Sequence, residues 1–242
     1  MHFNFTEIMA KHKQNEKTPE GKETVEFFKD LDKEALQTER FLEKNSKLLV
    51  ILFVSMVAAV LAFFAYQQFV VAPKNEEATK SYLAAQKNLA AGNIADALGG
   101  KSAANPGFLG TAKEFSNTSV GKLAAYNAGL LKFKEGKYQE AYDLLDKFSS
   151  DNEVLMALKY GAMADAKSNL NRNDETLSLL EKAMNASDDP YTQYYFTRKA
   201  GTVALALNKK DLAKKYFTSV DEKFKDYDNG MSDAYIEMVK YF

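Results

Sequence analysis

The sequence predicts an all-α protein, with one helix that crosses a membrane followed by a stacked array of helix pairs and a terminal capping helix. Three observations predict it. No charged side chain interrupts Leu48 to Ala72, in a chain of which 27% is charged. Alternating β-branched runs are absent, while apolar residues recur at helical spacing through the rest of the chain. Small residues also return at a fixed twelve-residue interval in three successive segments.

The apolar stretch comes first. A core helix rarely needs more than about 14 unbroken apolar residues, whereas a span needs about 20. Leu48 to Val71 is 24 residues, or roughly 36 Å of helix at about 1.5 Å per residue. That length crosses a hydrocarbon layer of roughly 30 Å with some tilt. Tyr66, Gln67 and Gln68 at its far end suit the interface. A signal peptide would begin the chain and end in a small-residue cleavage site. Here 47 residues come first and the FFAYQQF run offers no such site, so the span is expected to stay as a permanent anchor. Lys33, Arg40, Lys44 and Lys47 precede it, against Lys74, Lys80 and Lys87 beyond. This positive-inside bias favours a cytoplasmic N-terminus and an exported C-terminal part.

Before the span, residues 1–22 are polar and read as a cytoplasmic tail without fixed structure. Residues 23–47 show helical spacing through Val25, Phe28, Leu31, Leu36, Phe41 and Leu42. This is either an amphipathic juxtamembrane helix that docks or a solvated stalk leading into the span at 48–72.

Beyond the span, residues 75–242 read as helix after helix. Asn105-Pro106 and Asp189-Pro190 each set a capping side chain before a proline at an expected first helical position. Three segments align, starting at Ala125, Tyr160 and Thr197. Their first small residues are Gly129, Ala164 and Gly201, and twelve residues later stand Ala141, Thr176 and Ala213. Seven further on come Phe148, Ala183 and Val220. Successive repeats are offset by 35 and 37 residues. Small residues suit positions where two helices cross closely. The turns between carry Gly136, or Asn171 and Asn208, which tolerate left-handed backbone. An earlier, worn unit sets Ala85, Gly92 and Ala97 in the same frame, followed by an insert with a short helix near Pro106 to Phe115. The expected units are 76–100, 119–150, 153–187 and 189–225. A cap over 230–242 should present Tyr235, Met238 and Val239 on one side to cover the last open face. An irregular helical bundle would share the periodicity but not the constant interval.

Composition narrows function. Residues 73–242 hold 23 Lys+Arg and 23 Asp+Glu, without the clustered positive charge that nucleic-acid binding needs. The two histidines, His2 and His12, lie in the tail, and cysteine is absent. Cys nucleophiles, Ser-His-Asp triads and the usual zinc sites are therefore excluded beyond the span. Asp143/Asp146, Asp188/Asp189 and Asp226/Asp228 fall where solvated charges are expected rather than a catalytic pair. Gly99-Gly100-Lys101 lacks the strand and spacing of a phosphate loop. No enzyme activity, cofactor or metal is expected.

The turn from Gly136 to Ala141 resembles the tetratricopeptide repeat, a helix–turn–helix unit of about 34 residues. Lys132, Lys167 and Ala204 depart from it, standing where an aromatic is usual, and the family tryptophan is missing. The wider layout, from about Asp30 to Phe242, resembles the YfgM-like, single-anchor tetratricopeptide proteins of Bacteroidota. The carrying motifs are FLEKNSK from Phe41 to Lys47 and YQQFVVAPKNEEA from Tyr66 to Ala78. GFL from Gly107, GKLAAYNAG from Gly121 to Gly129 and KAG ending at Gly201 add to them. The chain departs at Asp226-Tyr227, where a proline is common. The resemblance implies a repeat domain in the periplasm, held at the inner membrane and associated with the Sec translocon and periplasmic chaperones.

The expected function is a non-enzymatic adaptor whose stacked first helices form a concave wall for a peptide or partner protein. In that frame the wall includes Leu123, Tyr126, Leu130, Phe133, Asp165, Asn169, Tyr195, Arg198 and Thr202. Each could instead serve ordinary packing. The alternative is a structural scaffold of another envelope assembly, such as outer-membrane protein insertion or cell division.

Overall fold

The computed structural model describes residues 44–102 and 105–242. The tail and all but the end of the juxtamembrane segment lie outside the described residues, with their basic residues Lys33 and Arg40. The chain divides between Gln68 and Phe69. The apolar stretch lies in a helical run, Lys44–Ala90, long and apolar enough to cross a membrane. Its large side chains are more exposed than any core would allow, with Phe53 66% and Leu61 64% accessible. Residues Gln67–Val71 form a π-helical turn, a local widening that a sequence period does not announce.

The second side is helical throughout; among its described residues the β pairing is one isolated bridge, Ser102 to Asn105. Its helices are α1 (Ala72–Ala90), α2 (Ile94–Gly99) and α3 (Gly107–Glu114). They continue as α4 (Ser119–Lys134), α5 (Tyr138–Asp146), α6 (Glu153–Asn169) and α7 (Asn173–Asn185). Last come α8 (Pro190–Ala206), α9 (Lys210–Lys223), α10 (Lys225–Asp228) and α11 (Asp233–Val239). Each helix from α1 to α9 packs on the next in sequence, α11 packs back on α9, and α6 touches both α4 and α8 across the pairs.

One local rule shapes four helix–turn–helix pairs. Seven residues after Ala85, Gly129, Ala164 and Gly201 stand Gly92, Gly136, Asn171 and Asn208, with φ of 78°, 77°, 57° and 55°. That left-handed residue turns the chain. The next N–H then returns to a carbonyl five residues back, as in Lys137 to Lys132 at 3.0 Å and Arg172 to Lys167 at 2.9 Å. The bond closes the helix C-terminus and satisfies an orphan carbonyl. Twelve residues after each first small residue, Ala97, Ala141, Thr176 and Ala213 are buried. A Cβ on Gly129 would lie 2.8 Å from Leu145 Cγ and 3.1 Å from the Ala141 carbonyl, so this crossing admits no side chain. A Cβ on Gly201 would lie 2.9 Å from the Phe217 ring.

The lysines that depart from the repeat pattern have partners on the facing helix. Lys132 reaches Glu140 at 3.1 Å, and Lys167 reaches Glu175 at 2.7 Å. Both span the same two positions of their pairs. In the fourth pair those positions are Ala204, fully buried, and Leu212, packed against the core. The exchange is covariant: an ion pair where both are polar, an apolar contact where both are not.

Helix starts divide. Asp189 caps α8, its carboxylate accepting from the Thr192 N–H at 2.7 Å with Pro190 in the first turn. Asn105 does not cap α3: the helix starts at Gly107, Pro106 takes the cap position, and Asn105 Oδ1 is buried without a partner. The reason is a tight closure of the insert. A Cβ on Gly100 would lie 2.0 Å from the Asn105 carbonyl, and one on Gly107 2.5 Å from the Gly100 nitrogen. Ser81 and Thr111 hydroxyls, 2.6 Å apart, join α1 to α3.

At the far end, Tyr235 stacks on Phe217 with centroids 5.1 Å apart, and Val239 is buried. Met238 points outward, 41% exposed, and Ile236 packs instead against the core. Asp228 is buried rather than solvated. It accepts from the Tyr194 hydroxyl at 3.0 Å, the Ser232 hydroxyl at 2.6 Å and the Ser232 N–H at 2.8 Å. These bonds supply what water would have.

Candidate partner-binding face

Of the first helices, α6 touches both α4 and α8, whereas the second helices α5, α7 and α9 touch less. Side chains on the outer face of the first helices therefore gather on one side. Counting from Gly129, Ala164 and Gly201, the positions six residues earlier are Leu123, Leu158 and Tyr195. Those ten residues earlier are Ser119, Val154 and Tyr191. Leu158 is 41%, Tyr195 46% and Tyr191 58% exposed. Val154 is exposed as well.

Of the residues expected on this wall, several do other work. Tyr126 is half-buried, its ring 5.0 Å from Phe148, and Leu130 packs against the core. Burial raises the Tyr126 phenol above its ordinary value. Phe133 packs edge-on to Tyr138 at 5.3 Å, closing the turn of its own pair. Asp165 is tied to Lys199 of the next pair at 2.7 Å, and Asn169 donates to the Asp165 carbonyl. The Thr202 hydroxyl donates to the Arg198 carbonyl. Tyr195, Arg198 and Thr202 share one stripe of α8. The Arg198 Nε is enclosed and has no hydrogen-bond partner.

Val154, Leu158 and Tyr191 were absent from the expected wall, although the register reveals them. Val154 and Tyr191 occupy the repeat position of Ser119, and Leu158 that of Leu123 and Tyr195. Gly161 takes the position of Tyr126 and Arg198, and its missing Cβ is replaced by Phe196, whose ring would stand 2.3 Å from it. Near Leu123 the face opens into a cleft of about 390 Å³ between α4 and the start of α6, bordered by Lys122, Phe148 and Leu155. At the other end Tyr191 joins Tyr194 and Tyr227, with ring centroids 6.0 and 6.4 Å away.

Among the described residues no group of three or more His, Asp or Glu could hold a metal ion. Of the paired carboxylates, Asp143 accepts from Gln139, Asp189 caps α8 and Asp228 is enclosed by hydroxyls, while Asp146, Asp188 and Asp226 are exposed. Hydrogen bonds from Thr192 hold Asp189 below the usual carboxylate range. No protein-family model, no curated protein and no solved structure matches this chain.

Proposed function

We propose that this protein is a non-enzymatic, membrane-anchored adaptor, a tetratricopeptide-like solenoid that holds a segment of another protein on its first-helix face. The observation that carries the reading is the exposed apolar row at equivalent positions of successive pairs: Leu158 and Tyr195, with Val154 and Tyr191 one turn before them. Scattered single apolar residues on a surface need no explanation. A row that recurs in register on touching helices is a surface for contact. Tyrosine and arginine favour such surfaces because they give large area with a polar tip.

The same reading places the anchor in a bacterial inner membrane with the helical part in the periplasm. It rests on the flanking lysines and on the resemblance to YfgM-like proteins, which also suggests the Sec translocon and periplasmic chaperones as partners. A photo-crosslinking amino acid at Leu158 or Tyr195 of the full chain, in its own membrane, tests it. Discrete adducts are expected from these sites and not from Lys182 or Lys214, exposed on second helices. Adducts only from the second-helix sites would move the function to the opposite face.

A further inference from the structure

Beyond that reading, we propose that the helical array carries one built-in hinge, between its second and third pairs, where α1–α4 rock against α6–α11 about α5. The junction between the third and fourth pairs shows what a closed joint is made of. The ring of Phe196 on α8 fills the place of the missing Cβ of Gly161 on α6. Asp165 on α6 holds Lys199 on α8 at 2.7 Å, and Glu153 accepts the Asp188 N–H at 3.3 Å. On the opposite edge, Asp174 holds Lys209 at 2.6 Å and Glu181 accepts the Tyr216 hydroxyl at 2.8 Å. Both edges of that joint are fastened.

One repeat earlier these fasteners are missing. At the offsets of 35 and 37 residues, Tyr126 and Lys159 stand for Gly161 and Phe196. Tyr126 turns to Phe148, at the end of its own pair. Leu130 and Ala162 replace Asp165 and Lys199, and Gln139 and Arg172 replace Asp174 and Lys209. Asp146 and Leu179 stand for Glu181 and Tyr216. Thr118, which caps α4, takes the place of Glu153, and Asp151 that of Asp188. Among the described residues no side-chain hydrogen bond or ion pair joins α4 to α6 or α5 to α7. What holds this junction runs along its diagonal, from α5 to α6. The buried Lys159 ammonium donates to the Asp146 and Phe148 carbonyls, and the Lys167 ammonium lies 4.0 Å from the Tyr142 ring centroid. The core divides at the same place. Ala124, Ala128 and Leu131 of α4 belong to the cluster shared with α1 to α3, and Leu145 of α5 to the one that runs on to α11. Leu144 packs against the first cluster, so α5 serves both. Across the first-helix edge α4 offers the second cluster the half-buried Tyr126 and Leu130, apolar contacts that can slide. The cleft of about 390 Å³ beside Lys122 and Leu155 lies on that untied edge. A joint pinned along one line and free on both sides turns as a hinge. Closing the cleft brings Leu123 toward Leu158 and leaves the spacing of Leu158 and Tyr195 unchanged. The first-helix face thus has a fixed part and a movable one.

Double electron–electron resonance on the full-length chain in nanodiscs tests this. The chain has no cysteine, so an introduced pair takes both spin labels. Glu114→Cys with Lys182→Cys spans the hinge, and Val154→Cys with Lys214→Cys spans the next junction; all four positions are exposed. The first distance distribution is expected to be about twice as broad as the second, or two-peaked. Phe196→Leu, Lys199→Met and Lys209→Met together loosen the interlocked ring and one fastener on each edge of the closed joint. That variant should broaden the Val154/Lys214 distribution, with circular dichroism confirming its fold. Equal widths for the two label pairs in the parent chain, or an unchanged Val154/Lys214 width in the folded variant, overturn the hinge. If the variant unfolds, the comparison in the parent chain decides. The crosslinking test at Leu158 and Tyr195 is independent of either result, so the adaptor reading stands or falls apart from the hinge.

Discussion

Gly161→Ala should destabilise the helical array by steric conflict with the next pair, and the conflict should vanish when Phe196 is removed. Gly161 lies mid-way along α6, where its backbone would carry a Cβ 2.3 Å from Phe196 Cε1 and 2.7 Å from Cζ. Optimal carbon contacts are about 3.5–4.0 Å. The ring has no easy retreat, because Phe196 is 2% exposed and packs within the main core. Overpacking of this kind typically costs about 1–3 kcal/mol. For a unit of this size each kcal/mol lowers Tm by about 2–4 °C, so the expected fall is roughly 2–12 °C. Phe196→Ala alone opens a cavity and should cost about 3–5 kcal/mol. The double variant has room for the new methyl and should be no less stable than Phe196→Ala, giving a coupling of about 1–3 kcal/mol. Urea unfolding of the full chain in detergent, followed at 222 nm, measures all four corners of the cycle. Additivity within about 0.5 kcal/mol would refute the contact between α6 and α8.

Other outcomes follow from the same coordinates. Ala141→Phe, at a crossing with no free volume, should lower stability by about 1–3 kcal/mol, whereas Gln139→Phe, exposed on the same helix, should change it little. Equal thermal midpoints would show that the twelve-residue frame is misplaced. Lys159→Met should cost about 1–3 kcal/mol, because the Lys159 ammonium donates to the Asp146 and Phe148 carbonyls at 3.0 and 2.7 Å where α5 ends. A variant as stable as the parent would mean water replaces that cap. Burial and the neighbouring Glu181 raise the Tyr216 phenol well above its ordinary value. The folded state thus favours the neutral phenol. Its contribution is complete below about pH 10 and is lost as pH rises through the raised value. Tyr216→Phe should therefore show a shallower loss of stability above about pH 10; an unchanged slope in alkaline urea titrations would exclude Tyr216 as a source.

The sequence made the helical class and the local turns legible because both are short-range. A charge-free stretch of this length, an Asp before Pro190 and a Gly or Asn in each turn carry their consequences within a few residues. The small residues at helix crossings were legible too, since their constant spacing marks where backbones approach. What escaped was decided between elements. Lys132 and Lys167 looked like departures until Glu140 and Glu175 stood opposite them. Tyr126 had the spacing of a surface residue, yet Phe148, just past the end of the following helix, claims its ring. Asn105 had the pattern of a cap, and the close approach of Gly100 and Gly107 moved the helix start past it. Met238 and Ile236 exchanged roles for want of a neighbour one could see in advance.

The exchange of Lys132/Glu140 and Lys167/Glu175 for Ala204/Leu212 bears on how the chain avoids its own decoys. Tandem helices of similar shape are prone to pairing with the wrong neighbour while they fold. Between the two lysine-bearing pairs a mistaken partner would offer the same glutamate and nothing would correct the error. Any mismatch with the last pair differs: α6 against α9 sets an ammonium on Leu212, and α8 against α7 leaves Glu175 facing Ala204. The first strands an ammonium that is only 12% exposed, a cost the proper pairing never meets, whereas the half-exposed Glu175 loses its partner and keeps its water. The C-terminal pair is thus addressed to itself, and duplicating an upstream pair in its place would not give an equivalent protein.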